Sequence, residues 1–253
     1  MLRLIDKIRR IPSLSLRHIG FCLNGLRFGF LFVRARSFKI PQRVRIAGKF
    51  VPIRFPLEHG VLVDFFVCFI RDEYGLRQGL SDIRSILDIG ANLGFFSMAA
   101  RSNYPKATIH AYEPNARILP FLRDNTSKLD IGIFSEAVGG ESGYVSMVDS
   151  GDSNLARSTA ASDGTVPQVS LATAVERLGN SVDLLKLDCE GAEWDMFRIT
   201  EPWQHIRNIR MEYHLFHGET AQQVEQNLNR LGFEVTLRKP AVDCGTVWAR
   251  RAN

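Results

Sequence analysis

The chain has 253 residues, 45% of them hydrophobic and 23% charged, which is room for one large α/β domain with an extension and excludes a disordered chain. Its four cysteines, Cys22, Cys68, Cys189 and Cys244, lie far apart with no C-x-x-C pair. That spacing excludes a zinc knuckle and a disulfide framework and points to a reducing, cytoplasmic setting. The net charge of +5 hides an asymmetry: residues 1–54 hold thirteen Lys/Arg and one acid (+12), and the remainder nineteen basic and twenty-six acidic residues (−7).

Residues 1–40 read as a basic amphipathic extension. Leu2, Ile5, Ile8 and Ile11 recur at helical spacing with Arg3, Lys7 and Arg10 opposite them. The apolar stretch Ile19–Val33 has fifteen residues broken by Asn24 and Arg27, too short and polar to span a membrane, and no signal cleavage site follows. Two readings stay open. The segment is a helical flap on the domain, or residues 1–36 make peripheral contact with the inner face of an anionic membrane. Nucleic acid is not expected, because no aromatic-basic recognition motif accompanies the charge. Deleting Met1–Arg36 is expected to leave cofactor binding intact but to weaken binding to anionic vesicles. Residues 41–80 form a β-rich lead-in with strand-like pieces at Val44–Ile46, Val51–Phe55 and Val61–Phe69.

From residue 81 to 253 strands and helices alternate. Strands are expected at Ser85–Ile89, Ala107–Tyr112, Ile131–Ala137, Ser181–Leu187 and Ile206–Glu212. Helices are expected at Leu93–Ser102, Ala116–Lys128, Leu171–Leu178, Gly191–Ile199 and Thr220–Leu231. Gly143–Val148 and Val166–Ser170 read as a strand pair flanking a polar loop, and Phe233–Leu237 with Thr246–Arg250 as an edge hairpin. This pattern is a mostly parallel sheet with helices on both faces.

Ligands of such sheets bind beyond the carboxyl ends of the strands. The first strand ends in Asp88-Ile89-Gly90-Ala91-Asn92-Leu93-Gly94, a glycine turn opening a helix. The middle glycine of the dinucleotide fingerprint is replaced by Asn92, and Asp88 would repel a phosphate but suit an amine. S-adenosylmethionine therefore fits better than a nicotinamide cofactor. Glu113, nineteen residues after Gly94, is placed to accept hydrogen bonds from ribose hydroxyls, and Ala137 to wall the adenine. The fourth strand ends in Lys186-Leu187-Asp188-Cys189-Glu190-Gly191-Ala192-Glu193, and the fifth in Glu212-Tyr213-His214.

Together these motifs resemble the FkbM family of S-adenosylmethionine-dependent methyltransferases over roughly Ser81–Phe216. The resemblance implies a class I methyltransferase (Rossmann-like) fold with a seven-stranded sheet and O-methylation of a sugar, glycan or related small-molecule acceptor. Asp88, Gly90, Asn92, Gly94, Glu113, Ala137 and Lys186 are the expected cofactor residues. Asp188, His214 and then Glu190 are the expected bases for an acceptor hydroxyl; the alternative for His214 is an orienting or packed ring. Lys186 either neutralises the acidic cluster or meets the cofactor's carboxylate. No metal is expected, although Asp188, Glu190 and Glu193 form an alternative divalent-cation set. Arg157, in the polar loop Asp149–Gly164, is a candidate hand for the acceptor. Competing functions are a nicotinamide-dependent oxidoreductase and a non-catalytic cofactor-binding domain. The acceptor and the oligomeric state are not readable from the sequence.

Overall fold

A computed structural model describes residues 16–58, 60–148, 157–160, 164–216 and 218–252. The chain begins with α1 (Leu16–Arg27) and a short hairpin of β1 (Arg43–Ile46) and β2 (Lys49–Pro52), then α2 (Gly60–Phe65). The α/β unit follows as β3 (Ser85–Ile89), α3 (Phe95–Asn103), β4 (Thr108–Tyr112), α4 (Leu119–Thr126) and β5 (Gly132–Phe134). Next come β6 (Ala137–Gly139), β7 (Gly143–Val148), β8 (Arg157–Ala160), β9 (Val166–Ser170) and α5 (Leu171–Glu176). The chain closes with β10 (Leu184–Leu187), α6 (Glu193–Met196), β11 (Asn208–His214), α7 (Ala221–Arg230), β12 (Phe233–Pro240) and β13 (Cys244–Arg251).

Seven strands form the main sheet in the order β12-β13-β11-β10-β3-β4-β5. Only β13 runs antiparallel to its neighbours, through the β12–β13 hairpin. This is the expected α/β class, and from residue 81 onward the expected strands and helices fall within a few residues of the observed ones. Strand order reverses between β3 and β10, so a crevice opens beyond their carboxyl ends. Local chemistry sets several boundaries. Ser170 caps α5 by accepting the Thr173 N–H, and Thr220 with Gln223 forms a reciprocal capping box on α7.

Three expectations are corrected. Val61–Phe69 is helical, α2 continuing through a π-helical turn at Phe66–Arg71, because Val61, Phe65, Phe66, Phe69 and Ile70 bury one face at helical spacing. Ile131–Ala137 is split: β5 stays in the main sheet, while β6 turns away into a second, four-stranded sheet ordered β6-β9-β7-β8. The helix expected over Gly191–Ile199 is regular only in α6.

The described part of the extension is packed. Phe28 and Phe32 are buried, Phe28 lies 4.9 Å edge-on to Phe69, and Phe69 lies 5.7 Å from Phe95 at the start of α3. An aromatic chain therefore runs from α1 to the helix that follows the glycine turn. Deleting Met1–Arg36 would strip Phe28 and Phe32 from this core, so the cut removes packing as well as charge. The repeat at Leu2–Ile11 and most of the loop Asp149–Gly164 lie outside the described residues. All four cysteines are free thiols.

Candidate active site

Beyond β3 and β10 lies a cleft of about 470 Å³, within the usual range for a small-molecule site. One wall is the glycine turn. The N–H groups of Gly90 and Ala91 both bond the Tyr112 carbonyl, at 3.1 and 2.9 Å, which clamps β3 to the end of β4. Asn92 takes a left-handed conformation (φ 47°), and its N–H donates to Glu113 Oε2 at 2.8 Å. The other oxygen of Glu113 accepts the Asn115 N–H at 2.8 Å. Glu113 thus ties two strand ends together and still has acceptor lone pairs at the cleft wall. Burial pushes its carboxyl above the usual range, against the two backbone bonds. Ala137, Val138 and Tyr112 add an apolar side to the cleft. Gly94 lies outside the lining and packs on α4, where a Cβ would meet Leu122 at 2.7 Å.

Asp88 does not line the cleft. It is fully buried beneath the turn, where its Oδ2 accepts the Ser97 hydroxyl at 2.6 Å and its Oδ1 lies 3.4 Å from Lys186 Nζ. The expectation that it greets an amine directly is therefore corrected: it holds the lysine that holds the turn. Lys186 donates to the carbonyls of Ile89 and Gly90 and lies 3.6 Å from Asp188 Oδ2. Burial alone would lower its pKa, but Asp188 and Asp88 more than offset this and raise it, so the ammonium stays charged. Of its two expected roles, neutralising the cluster is the one its contacts serve.

The opposite wall carries Asp188, Glu190 and Glu212. Asp188 accepts the Tyr74 hydroxyl at 3.2 Å. Burial raises Glu190 to about 7, and burial together with Asp188 raises Glu212 to about 7. His214 stands behind Glu190 and outside the lining, its Nε2 3.5 Å from Glu190 and its Nδ1 3.5 Å from Glu193. Burial would lower its pKa, but the two glutamates raise it to about 9, so at neutral pH the ring is a cation. Set behind Glu190, it does not itself line the cleft where an acceptor would sit. Glu193 is fully buried and turned to the backbone, accepting the N–H groups of Gly191 at 2.9 Å and His214 at 2.7 Å. It is therefore unavailable as a cation ligand. Asp188, Glu190 and His214 do bring one ligand atom each within 4.8 Å of one another, so the cation set that this geometry offers has His214 in place of Glu193.

Sequence reasoning passed over Tyr74 and Asp64 and gave Glu212 no role. Asp64 on α2 accepts the Asn92 amide at 3.1 Å, and both it and Tyr74 line the cleft. Helical spacing in Val61–Ile70 was the available signal for Asp64; nothing local marks Tyr74. For Arg157 only the backbone, at the start of β8, is described.

Glu113→Gln should test the ribose wall. The amide has one oxygen where two backbone N–H groups need acceptors, so the affinity for S-adenosylmethionine measured by calorimetry should fall by about ten- to a hundredfold. Unchanged affinity would place the ribose elsewhere.

Residues 88–235 match the family model for the methyltransferase FkbM domain. "Methyltransferase 1" of Beauveria bassiana is 25% identical over 185 residues, covering 61% of this chain and 74% of that protein. "31-O-demethyl-FK506 methyltransferase FkbM" of Streptomyces tacrolimicus is 26% identical over 218 residues, covering 71% of this chain and 82% of that protein. Among solved structures, Aeropyrum pernix fibrillarin with bound S-adenosyl-L-methionine is 14% identical, with a TM-score of 0.45 and 71% of this chain and 74% of that chain covered. With the family model spanning more than half of its length, this chain belongs to the FkbM family of S-adenosylmethionine-dependent methyltransferases.

Proposed function

We propose that the protein transfers a methyl group to a hydroxyl oxygen of a sugar, a glycan or a related polyhydroxylated small molecule. The observation that carries this reading is the wall of Asp188, Glu190 and Glu212 facing the glycine turn. Carboxylates accept hydrogen bonds from hydroxyls and repel anionic acceptors. The name of the Streptomyces relative, which specifies an oxygen acceptor, supports oxygen as the nucleophile.

The residues fit the donor. Glu113 has free acceptor capacity for ribose hydroxyls, Ala137 and Val138 offer an apolar surface for adenine, and the carboxylate wall suits a cation. When bound, S-adenosylmethionine supplies a methyl carbon activated by a positive sulfur. The chain's own contribution is alignment and proton removal. Glu190 is the proposed base: it lines the cleft, and a carboxyl held near 7 is matched to neutral conditions. As the acceptor oxygen attacks, its proton passes to a Glu190 carboxylate oxygen. His214, charged and wedged between Glu190 and Glu193, positions that carboxylate. Tyr74 and Lys186 hold Asp188 against the same wall.

A base must be ionised to act, so the rate of transfer should rise with pH through about 7. Glu190→Gln should lower kcat by about a hundredfold or more and flatten that rise, with little change in cofactor affinity. Transfer is expected to survive chelation; activity lost to a chelator and restored by a divalent cation would instead assign Asp188, Glu190 and His214 to a metal.

The decisive test supplies methyl-labelled S-adenosylmethionine and extracts of cell glycans and lipids, followed by mass spectrometry of the labelled product. Label on a sugar oxygen supports the proposal. Label on nitrogen or carbon overturns the acceptor, and no cofactor binding at millimolar concentration overturns the donor.

A further inference from the structure

We propose that the outer face of α1, with the segments beside it, docks on an anionic lipid surface. This rests on the extension and is independent of the acceptor. The inner side of α1 is already committed, since the buried Asn24 donates to the Ile70 carbonyl at 2.7 Å and Phe28 packs on Phe69. The outer side carries Ile19, Leu23 and Leu26, exposed by 42%, 59% and 54% at i, i+4 and i+7. A helix packed on a water-facing domain normally turns charged groups outward there. In the extended segment that follows, Leu31 and Val33 stand out at 70% and 56% on either side of the buried Phe32.

The rim of this patch is basic. The Arg43 guanidinium lies 5.0 Å over the half-exposed ring of Phe50, and that ring would touch any Cβ placed at Gly29. Arg45 donates to the carbonyls of Leu26 and Arg27, which fixes the hairpin against the end of α1. Residues 16–54 contain nine Lys/Arg and no acid, although the rest of the chain is acidic. Exposed leucines rimmed by arginines fit the boundary between acyl chains and anionic headgroups. No helix among the described residues is long and apolar enough to cross a membrane, so the fit is to a surface. A second copy is disfavoured because an isologous contact would set this positive patch against itself. Nucleic acid is disfavoured because aliphatic side chains gain nothing from phosphates and stack poorly on bases.

The experiment is co-sedimentation of the full chain with vesicles of phosphatidylcholine alone or mixed with phosphatidylserine, at low and high salt. Binding should require phosphatidylserine and weaken with salt. Leu23→Gln with Leu26→Gln, both at exposed positions, should lower the partition coefficient by about tenfold or more. Arg43→Gln should lower it by about fivefold on the mixed vesicles only. Both variants should keep the parent's thermal midpoint and cofactor affinity. Equal binding to both vesicles, or variants that bind like the parent, would overturn the proposal. So would a dimer that the leucine variant dissociates, or retention on nucleic acid but on neither vesicle.

Discussion

Gly90→Ala is expected to abolish cofactor binding, raising the dissociation constant for S-adenosylmethionine more than about a hundredfold and lowering stability by about 4 kcal/mol or more. A Cβ at this position would land on the Asp188 carbonyl oxygen, far inside van der Waals contact. The obstacle is backbone, so no rotamer change relieves it. Gly90 also has a φ of 74°, which side chains disfavour. Relief would require the ends of β3 and β10 to part, yet Asp188 N–H bonds the Ile89 carbonyl at 3.1 Å and Lys186 staples the same two strand ends. Gly143→Ala is the control: nothing lies within 4 Å of its Cβ, and its stability should stay within about 0.5 kcal/mol. Denaturation and calorimetry on the two variants settle the matter; normal binding by Gly90→Ala would mean the strand ends are not held as described.

Lys186→Met should cost about 3–5 kcal/mol in urea denaturation, the usual penalty for removing one partner of a buried ion pair. The thioether is close in length but cannot donate. Asp88, fully buried, would keep only the Ser97 hydroxyl, and two carbonyls of the glycine turn would lose their donor. Burial already raises the Asp88 pKa, with Lys186 pulling it down. Without the lysine that opposition vanishes and the folded pKa moves further above its unfolded value. A raised carboxyl pKa gives stability that is present at low pH and lost as pH rises through the folded value. The deficit of Lys186→Met should therefore shrink as pH falls. Adding Asp88→Asn should recover part of the loss at neutral pH, and the double-mutant cycle measures the coupling. A deficit independent of pH and unchanged by Asp88→Asn would show that the pair contributes by packing alone.

The parts of the site legible in the sequence are those coded over a few residues. Asp88–Gly94 is a strand end, a left-handed turn and a helix start in seven residues, each step marked by a glycine or an asparagine. Glu113 followed from one crossover helix of predictable length. The strand-end motif Lys186–Glu193 placed carboxylates at the cleft, but it did not say which way each points. Glu190 faces the cleft, whereas Glu193, three residues on, turns into the backbone. Tyr74 was invisible because its partner Asp188 is 114 residues away, on an element that reaches the site only through packing. Val61–Phe69 misled because an apolar run rich in valine and phenylalanine suits either period, and burial of one face decided for the helix.

Hydrophobic period and turn chemistry are local, so the sequence alone determined the α/β class, the strand-to-helix alternation, the glycine turn and the basic extension. Tertiary structure decided the rest. It made Asp88 a buried support, His214 a charged prop behind Glu190 and α1 a wall of the aromatic core with leucines left facing outward. These assignments depend on which groups meet in a low-dielectric interior and which remain in water. That is a property of long-range contacts, which no short stretch of the chain contains.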